Sequence, residues 1–101
     1  MEIKIVDSPE KSRYEGYDGD AVAGYVAYQL KGDQITLTHT QVNKAYEGKG
    51  MGGQLARGVL DAIRERGLAV LPDCPFINGW IIKHPDYVDL IPADERSFYN
   101  L

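Results

Sequence analysis

Four glycines fall within six residues, Gly48 to Gly53, directly before a segment with the periodicity of a long helix. Glycine loses more backbone entropy on folding than any other residue, so such a cluster needs a reason. Glycines before a helix let a phosphate approach the unpaired N–H groups at the positive end of the helix dipole. The spacing fits neither a Walker A loop nor a dinucleotide-binding fingerprint. The alternative is a loop in which glycine serves tight turning alone.

The first half of the sequence predicts an antiparallel meander. Turn signals at Asp18-Gly19 and Gly32-Asp33 separate β-prone runs, as hairpin turns do. In the run that precedes the glycines, Ile35, Leu37 and His39 alternate with threonines. These three residues should therefore share one face of a strand.

The second half predicts a long helix, a short strand and a short helix. Apolar residues recur at helical spacing from Met51 to Arg66, and Gly67 suits the end of that helix. A short buried strand follows at Leu68–Leu71, with a right-handed crossover expected. A second helix should end before Pro85. The fold class is therefore α/β in the mixed α+β sense, an antiparallel meander leading into a parallel β-α-β unit.

Length and charge limit the functions that fit. A chain of 101 residues is one domain, with a core expected over about 10–91 and a polar tail over 92–101. Eleven basic against fifteen acidic residues give a net charge of −4, which argues against nucleic acid as a partner. No apolar run is long enough to span a membrane. The single Cys74 and the lack of an N-terminal apolar segment fit a cytoplasmic protein. Two histidines and one cysteine, far apart in sequence, predict no metal site.

The stretch VNKAYEGKGMGGQLARGVLDAIRERGL resembles the acetyl-coenzyme A motif of the GNAT superfamily of N-acetyltransferases. That motif reads Q/R-x-x-G-x-G/A, between a strand and a helix. Gly50 and Gly52 stand at its two small-residue positions, whereas Glu47 replaces the usual Gln or Arg. The segments HTQV and CPFINGWIIKHPDY on either side are similar to a minimal, stand-alone branch of the superfamily. The resemblance covers about His39 to Tyr87.

The resemblance implies that the chain binds acetyl-coenzyme A and transfers the acetyl group to an amine of unknown identity. The pyrophosphate would lie on the loop amides, and the pantetheine arm would run beside the preceding strand. The cofactor-binding residues implied are Val42, Lys49, Gly50, Met51, Gly52, Gly53, Phe76, Lys83 and His84. For Phe76 the alternative is a core position, and for His84 it is a favourable interaction with the helix dipole. Because little chain remains for substrate walls, we expect the acceptor groove to be either open or completed by a protein partner.

Cys74 and His39 are the candidate catalytic residues. Pro75 suits the first helical position, which makes Cys74 the N-cap, where a thiolate is favoured. Cys74 would either accept the acetyl group or line the thioester pocket, and the alternative is a small buried residue without a functional role. His39 is the candidate general base, the alternative being a histidine hydrogen-bonded within the fold. The resemblance implies a tyrosine where Trp80 stands, and an indole cannot protonate a departing thiolate, so either Tyr87 substitutes for it or the thiolate leaves unassisted. Trp80 itself is then an aromatic residue of the core or of the pocket wall.

The rival hypothesis is a non-catalytic module that binds or senses coenzyme A or acyl-coenzyme A and acts with a partner. Glu47 and Trp80 favour it, because both depart from the catalytic pattern. Acetyl transfer with a thiol-reactive Cys74 would favour the enzyme, and tight binding without turnover would favour the module.

Overall fold

The computed structural model describes residues 2–101, which form one five-stranded sheet with helices packed against it. The strands are β1 (Lys4–Ser8), β2 (Arg13–Asp18), β3 (Ala21–Lys31), β4 (Gln34–Val42) and β5 (Ala69–Leu71), in that spatial order. The first four pair antiparallel, and β5 pairs parallel with β4. The predicted meander leading into a parallel β-α-β unit is confirmed.

The two α-helices are the long one and the short one that the periodicity predicts. They are α1 (Met51–Arg66) and α2 (Pro75–Lys83). Gly67 ends α1 with a φ of 71°, in the left-handed region that glycine adopts at little cost. Cys74 is the N-cap of α2, ahead of Pro75 at the first helical position. Short 3-10 helices lie at Pro9–Lys11, Lys44–Tyr46, Pro85–Leu90 and Ala93–Tyr99.

The hydrophobic core lies between the sheet and the two helices, which pack on the same face. The buried residues of α1 are Met51, Leu55, Ala56, Val59, Leu60 and Ile63. Ile77 and Ile81 of α2 belong to the same buried cluster. The opposite face of the sheet carries polar and aromatic side chains instead, among them Arg13, Tyr25 and His39.

Glycines let α1 approach the sheet closely. Gly16 and Gly24 face each other across β2 and β3, and a Cβ on either would lie 2.7 Å from a methyl group of Leu55. Within α1, a Cβ on Gly58 would lie 2.6 Å from Cγ1 of Ile5 in β1. Gly58 therefore allows close packing of α1 against β1, since a side chain at this position would contact Ile5.

A β-bulge in β4 changes the face on which His39 lies. Ala27 pairs with His39, but the next residue, Tyr28, pairs with Leu37, so Thr38 is the extra residue. Such an insertion inverts the alternation of side chains beyond it. Leu37 is fully buried, whereas His39 is exposed. The prediction that these two residues share one face is wrong for this reason.

The C-terminal segment lies against the domain. Ile91 is fully buried, and its carbonyl accepts a hydrogen bond from Arg96 Nε at 3.0 Å. The Tyr99 hydroxyl, itself largely buried, donates to the carboxylate of Asp73 between β5 and α2. Polar residues over 92–101 are therefore tied to the segment that leads into α2.

Candidate functional site

The two parallel strands diverge at the edge of the site. Their pairing covers only three residue pairs and ends at Thr36 and Leu71. β4 then continues to Val42, whereas the chain after β5 turns into α2. The Cys74 N–H donates to the Leu37 carbonyl at 2.8 Å. Farther along the strand, a cavity lies between Val42 at the end of β4 and Phe76 in the first turn of α2.

The loop after β4 is fastened to the turn between β2 and β3. The Asn43 N–H donates to the Ala23 carbonyl at 2.8 Å, and the Asn43 side chain donates to the Val22 carbonyl. The Tyr46 hydroxyl donates to the Asp18 carboxylate at 2.8 Å. These hydrogen bonds fix the segment that immediately precedes the glycines, so the start of the loop has a defined position relative to the sheet.

The N-terminus of α1 presents backbone N–H groups without helical partners. Gly48 and Gly50 have φ values of 78° and 71°, a conformation that other residues adopt only at a cost. Gly50 is the N-cap and offers no side chain as a cap. The Gln54 N–H makes the first helical bond, to the Gly50 carbonyl at 3.3 Å. The N–H groups of residues 51–53 are therefore available to an anion, at the positive end of the helix.

A cavity of about 320 Å³ lies between this loop, the end of β4 and the start of α2. Its lining residues are Val42, Tyr46, Glu47, Gly48, Gly50, Met51, Gly52, Gly53 and Phe76. Six of the nine predicted cofactor-binding residues meet here, namely Val42, Gly50, Met51, Gly52, Gly53 and Phe76. Glu47 brings a carboxylate to the same wall, where the motif usually has a neutral or basic group.

Phe76 is a wall of this cavity rather than a core residue. Its side chain is 44% exposed, which does not fit the alternative of a core position. A Cβ on Gly52 would lie 2.8 Å from the ring carbon Cζ of Phe76. The absence of a side chain at Gly52 therefore allows the aromatic ring to lie over the first turn of α1.

The cavity continues as a groove between α1 and α2. A depression of about 320 Å³ is lined by Gly50, Gly53, Gln54, Arg57, Trp80 and His84. Another, of about 290 Å³, is lined by Pro75, Phe76, Gly79, Trp80 and Lys83. Lys83 and His84, in the predicted cofactor set, therefore border the same groove. Lys49 is exposed on the glycine loop and does not line any of these three hollows.

Cys74 lies at the N-cap of α2, beside β4. Its side chain is 4% exposed, and Sγ lies 3.3 Å from the Thr40 hydroxyl. Thr40 and Val42 point to the same side of β4, since side chains alternate along a strand. The Cys74 thiol therefore lies beside Thr40, which is two residues before Val42 on the side of β4 that faces the cavity. Within residues 2–101, the Thr40 hydroxyl is the one side-chain hydrogen-bond partner of this thiol.

His39 does not join Cys74. The His39 Nε2 lies 3.3 Å from Gln41 Oε1, and its ring centroid lies 6.2 Å from that of Tyr25. These contacts are on the face of the sheet opposite the helices. Thr40, the next residue, points to the other face, toward Cys74. The structure thus brings together most of the predicted cofactor residues but leaves the candidate base apart from the candidate nucleophile.

The sequence reasoning missed Asn78, on α2. Its side-chain Oδ1 is buried and accepts no hydrogen bond from any described residue. The Asn78 N–H donates to the Cys74 carbonyl at 3.0 Å, one helical turn back, so both residues share a face of α2. A buried acceptor without a donor is costly, and a ligand N–H would satisfy it. A polar residue between the apolar Ile77 and Ile81 is the signal that could have identified it.

Tyr87 does not reach the cavity. Its hydroxyl donates to Asp61 at 2.7 Å and accepts from Arg57 at 3.1 Å. Burial, followed by the bond to Asp61, raises the pKa of Tyr87 and so makes it a weaker acid. These contacts do not favour Tyr87 as the donor of a proton to a departing thiolate.

Between residues 2 and 101, no group of three or more His, Cys, Asp or Glu side chains is placed to hold a metal ion. No helix in that range is long and apolar enough to cross a membrane. The groove itself is lined by glycine backbone, aromatic rings and a few polar side chains.

Comparison with known proteins places these features in a family. The profile of GCN5-related N-acetyl-transferases matches residues 13–90. A GCN5-like protein from Staphylococcus aureus, solved by NMR, has a TM-score of 0.65 and 22% identity, over 88% of this chain and 87% of that one. The ribosomal-protein-S18-alanine N-acetyltransferase of Escherichia coli has a TM-score of 0.52 and 24% identity, over 57% of this chain and 38% of that one. At these identities both structures show a shared fold. No significant match occurs among curated protein sequences.

Proposed function

This chain belongs to the family of GCN5-related N-acetyltransferases, and we propose that it binds acetyl-coenzyme A and transfers the acetyl group to an amine. Membership of the family supports acetyl transfer in general terms. The use of acetyl-coenzyme A and the roles of individual residues are the finer parts of the proposal. The amine remains unidentified, and a cytoplasmic location stays a prediction.

The observation that carries the proposal is the cavity at the start of α1. It joins three features that a long anionic thioester needs: unpaired amides for phosphate, an apolar wall, and two parallel strands that diverge. Gly52 lacks the Cβ that would push against Phe76, so a hollow exists beside the amides. Asn78 Oδ1 adds a buried acceptor on the face of α2 that carries Cys74. The residues present therefore fit the ligand.

Each part of the chain has a distinct task in this proposal. The N–H groups of residues 51–53, with Lys49 nearby on the loop, bind the pyrophosphate. Val42 and Phe76 flank the pantetheine arm, and Asn78 accepts a hydrogen bond from one of its amides. Lys83 and His84 border the groove that leads away from the thioester.

The acetyl end lies where β4 and α2 separate, beside Thr40 and Cys74. Acetyl-coenzyme A supplies an activated acyl group, and the attacking amine would take it directly. Backbone N–H groups on the edge of β4, past its pairing with β5, are candidate donors to the acetyl oxygen. We assign Cys74 to the wall of this pocket, because its thiol has a hydroxyl group rather than a base as its neighbour.

The candidate general base, His39, contacts Tyr25 and Gln41 on the face of the sheet opposite the helices. The role of His39 stays a prediction, and these contacts do not favour it. An amine that arrives uncharged needs no base in order to attack, and the proton that it loses as the C–N bond forms and the C–S bond breaks can pass to the departing coenzyme A thiolate, directly or through water. A partner protein that completes the acceptor site is a further candidate source of a base.

The non-catalytic module remains the second candidate, and one observation favours it. The described side chains place no base beside Cys74 and leave Tyr87 engaged with Asp61 and Arg57. A protein built this way would still bind acyl-coenzyme A through its loop and groove. Binding without turnover over a broad set of amines would identify it.

The first experiment is a titration with acetyl-coenzyme A, followed through backbone amide resonances. We expect shifts concentrated at residues 49–53, at Val42 and at Asn78, with little change in the turn at Gly32. Release of free thiol in the presence of an amine panel then separates enzyme from module. No shifts at about millimolar ligand, the weakest useful affinity, would overturn both candidates.

A further inference from the structure

A cluster of polar and aromatic side chains occupies the second depression, beyond the loop amides. The Trp80 indole stacks on the His84 imidazole, with ring centroids 3.8 Å apart and an interplanar angle of 14°. The Arg57 guanidinium carbon lies 5.3 Å from the centroid of the same indole. All three side chains line one hollow of about 320 Å³. They come from the two different helices that border the groove.

Hydrogen bonds behind the cluster hold these groups in place. Arg57 donates to the Tyr87 hydroxyl at 3.1 Å, and that hydroxyl donates to Asp61 at 2.7 Å. His84 donates from Nδ1 to the Trp80 carbonyl at 2.7 Å, so the proton of a neutral ring is on Nδ1. The remaining N–H donors of Arg57 are then left for the hollow, whereas the His84 ring contributes by stacking on the Trp80 indole and fixing its orientation.

Trp80 brings a further donor to the same place. Its Nε1 lies 3.6 Å from the position that a Cβ on Gly53 would take, beside the first turn of α1. Indole N–H is a donor only, so it suits an anion. Trp80 can therefore donate a hydrogen bond from Nε1 to a phosphate oxygen, although it cannot protonate a thiolate.

The spacing between this hollow and the loop amides is one helical turn. Gly53 and Arg57 are four residues apart on α1, which is about 6 Å along the axis at about 1.5 Å per residue. Gly50 and Gly53 border both hollows, so the two are continuous. The hollow has no acidic lining residue, whereas Glu47 lines the first cavity. The groove can thus hold a second anionic group of the same ligand.

We propose that Arg57 and Trp80, with His84 stacked on the indole, form a site for a phosphomonoester, the 3′-phosphate of coenzyme A, and so select coenzyme A over 3′-dephospho-coenzyme A. The inference rests on the proposed function, since it concerns another part of the same ligand. A phosphomonoester carries a charge of roughly −1.5 to −2 near neutral pH and has three strong acceptor oxygens. Arginine pairs with such a group through two N–H donors at once.

The test compares two ligands on three proteins by calorimetry. On the natural sequence, 3′-dephospho-coenzyme A should bind at least about tenfold more weakly than coenzyme A. Arg57→Met should weaken coenzyme A by a similar factor and change the dephospho ligand by less than about twofold. Lys31→Met, an equal change of charge at the end of β3 and opposite the first residue of β4, should leave both affinities as they were. Equal affinities of the two ligands for the natural protein would overturn the site.

Two further readouts keep the test decisive if Arg57→Met fails to fold. Arg57→Lys keeps the positive charge but loses the two-pronged geometry, so it should retain only part of the preference for coenzyme A. Trp80 is the single tryptophan of the chain, and its fluorescence should respond to coenzyme A more than to the dephospho ligand. An identical response to both would count against the site. If neither ligand binds the natural protein, the proposed function has failed and not only this site.

Discussion

The Cys74 thiol lies 3.3 Å from the Thr40 hydroxyl, which ties the N-cap of α2 to the strand that leads into the glycine loop. Thr40 points to this side because Thr38 is the extra residue of the bulge in β4. Without that extra residue His39 would face α2 instead. The bulge therefore decides which side chain of the strand meets the thiol.

The role of Cys74 can be tested by its removal. We expect Cys74→Ala to lower kcat/KM for acetyl transfer by about tenfold at most, because the thiol lines the pocket and the amine attacks directly. Mass spectrometry of the natural protein incubated with acetyl-coenzyme A should find no acetyl group on Cys74. A trapped acetyl-cysteine, with activity abolished in the alanine variant, would show that Cys74 is the nucleophile. Cys74→Ser, which can keep the contact with Thr40, is the matched control for packing.

Alanine substitutions at two glycines in the left-handed conformation distinguish an effect on stability from an effect on ligand affinity. Gly50 has a φ of 71° and Gly32 a φ of 60°, and a Cβ on either would meet no atom within 4 Å. Alanine at either position should therefore cost about 1–2 kcal/mol of unfolding free energy, through backbone strain alone. Only Gly50→Ala should weaken acetyl-coenzyme A, by about tenfold or more, because it shifts the loop amides. Equal affinities in the two variants would mean that these amides do not hold the pyrophosphate.

Gly58 tests the close approach of α1 to β1. A Cβ on residue 58 would lie 2.6 Å from Cγ1 of Ile5. Because Ile5 is β-branched, rotating its side chain to move Cγ1 away would bring its other γ-carbon toward the same place. Gly58→Ala should therefore lower the unfolding free energy by about 1–3 kcal/mol in urea denaturation. Gly79→Ala, in open space on α2, should instead raise it by up to about 1 kcal/mol. Ile5→Ala should relieve part of the strain in Gly58→Ala, and additive losses would argue against direct contact.

Glu15 should make stability depend on acid. Its side chain is largely buried, and hydrogen bonds from Arg13 and then Tyr17 hold the pKa of Glu15 below its ordinary value of 4.5. A lowered pKa means that the stabilising contribution is present above about pH 4.5 and is lost as the pH falls through the folded-state pKa. Glu15→Gln should therefore lose about 1–3 kcal/mol at neutral pH and show a shallower decline toward about pH 3.

The control for that prediction is an exposed carboxylate. Glu65 lies on the solvent side of α1, so Glu65→Gln should leave the pH dependence of the unfolding free energy close to that of the natural protein. If the unfolding free energy of both variants declines equally as the pH falls, carboxylates other than Glu15 account for the loss of stability in acid.

The sequence alone was enough to predict the helices and strands and the position of the glycine loop at residues 48–53. Turn signals at Gly19 and Gly32, helical periodicity after Met51 and the stop at Gly67 are local features, so neighbours in the chain suffice to specify them. The location of the candidate cavity followed as well, since loop and helix are adjacent in sequence. These properties depend on backbone geometry and short-range periodicity alone.

Only the tertiary structure decided which side chains meet. The bulge at Thr38 turned His39 to the opposite face, and no alternation rule can foresee an insertion that depends on pairing with β3. The buried acceptor of Asn78 lies on the face of α2 that carries Cys74, and the contact between Arg57 and Trp80 arises where α1 and α2 pack together. Such contacts join residues distant in sequence, and the packing of whole helices on the sheet fixes them.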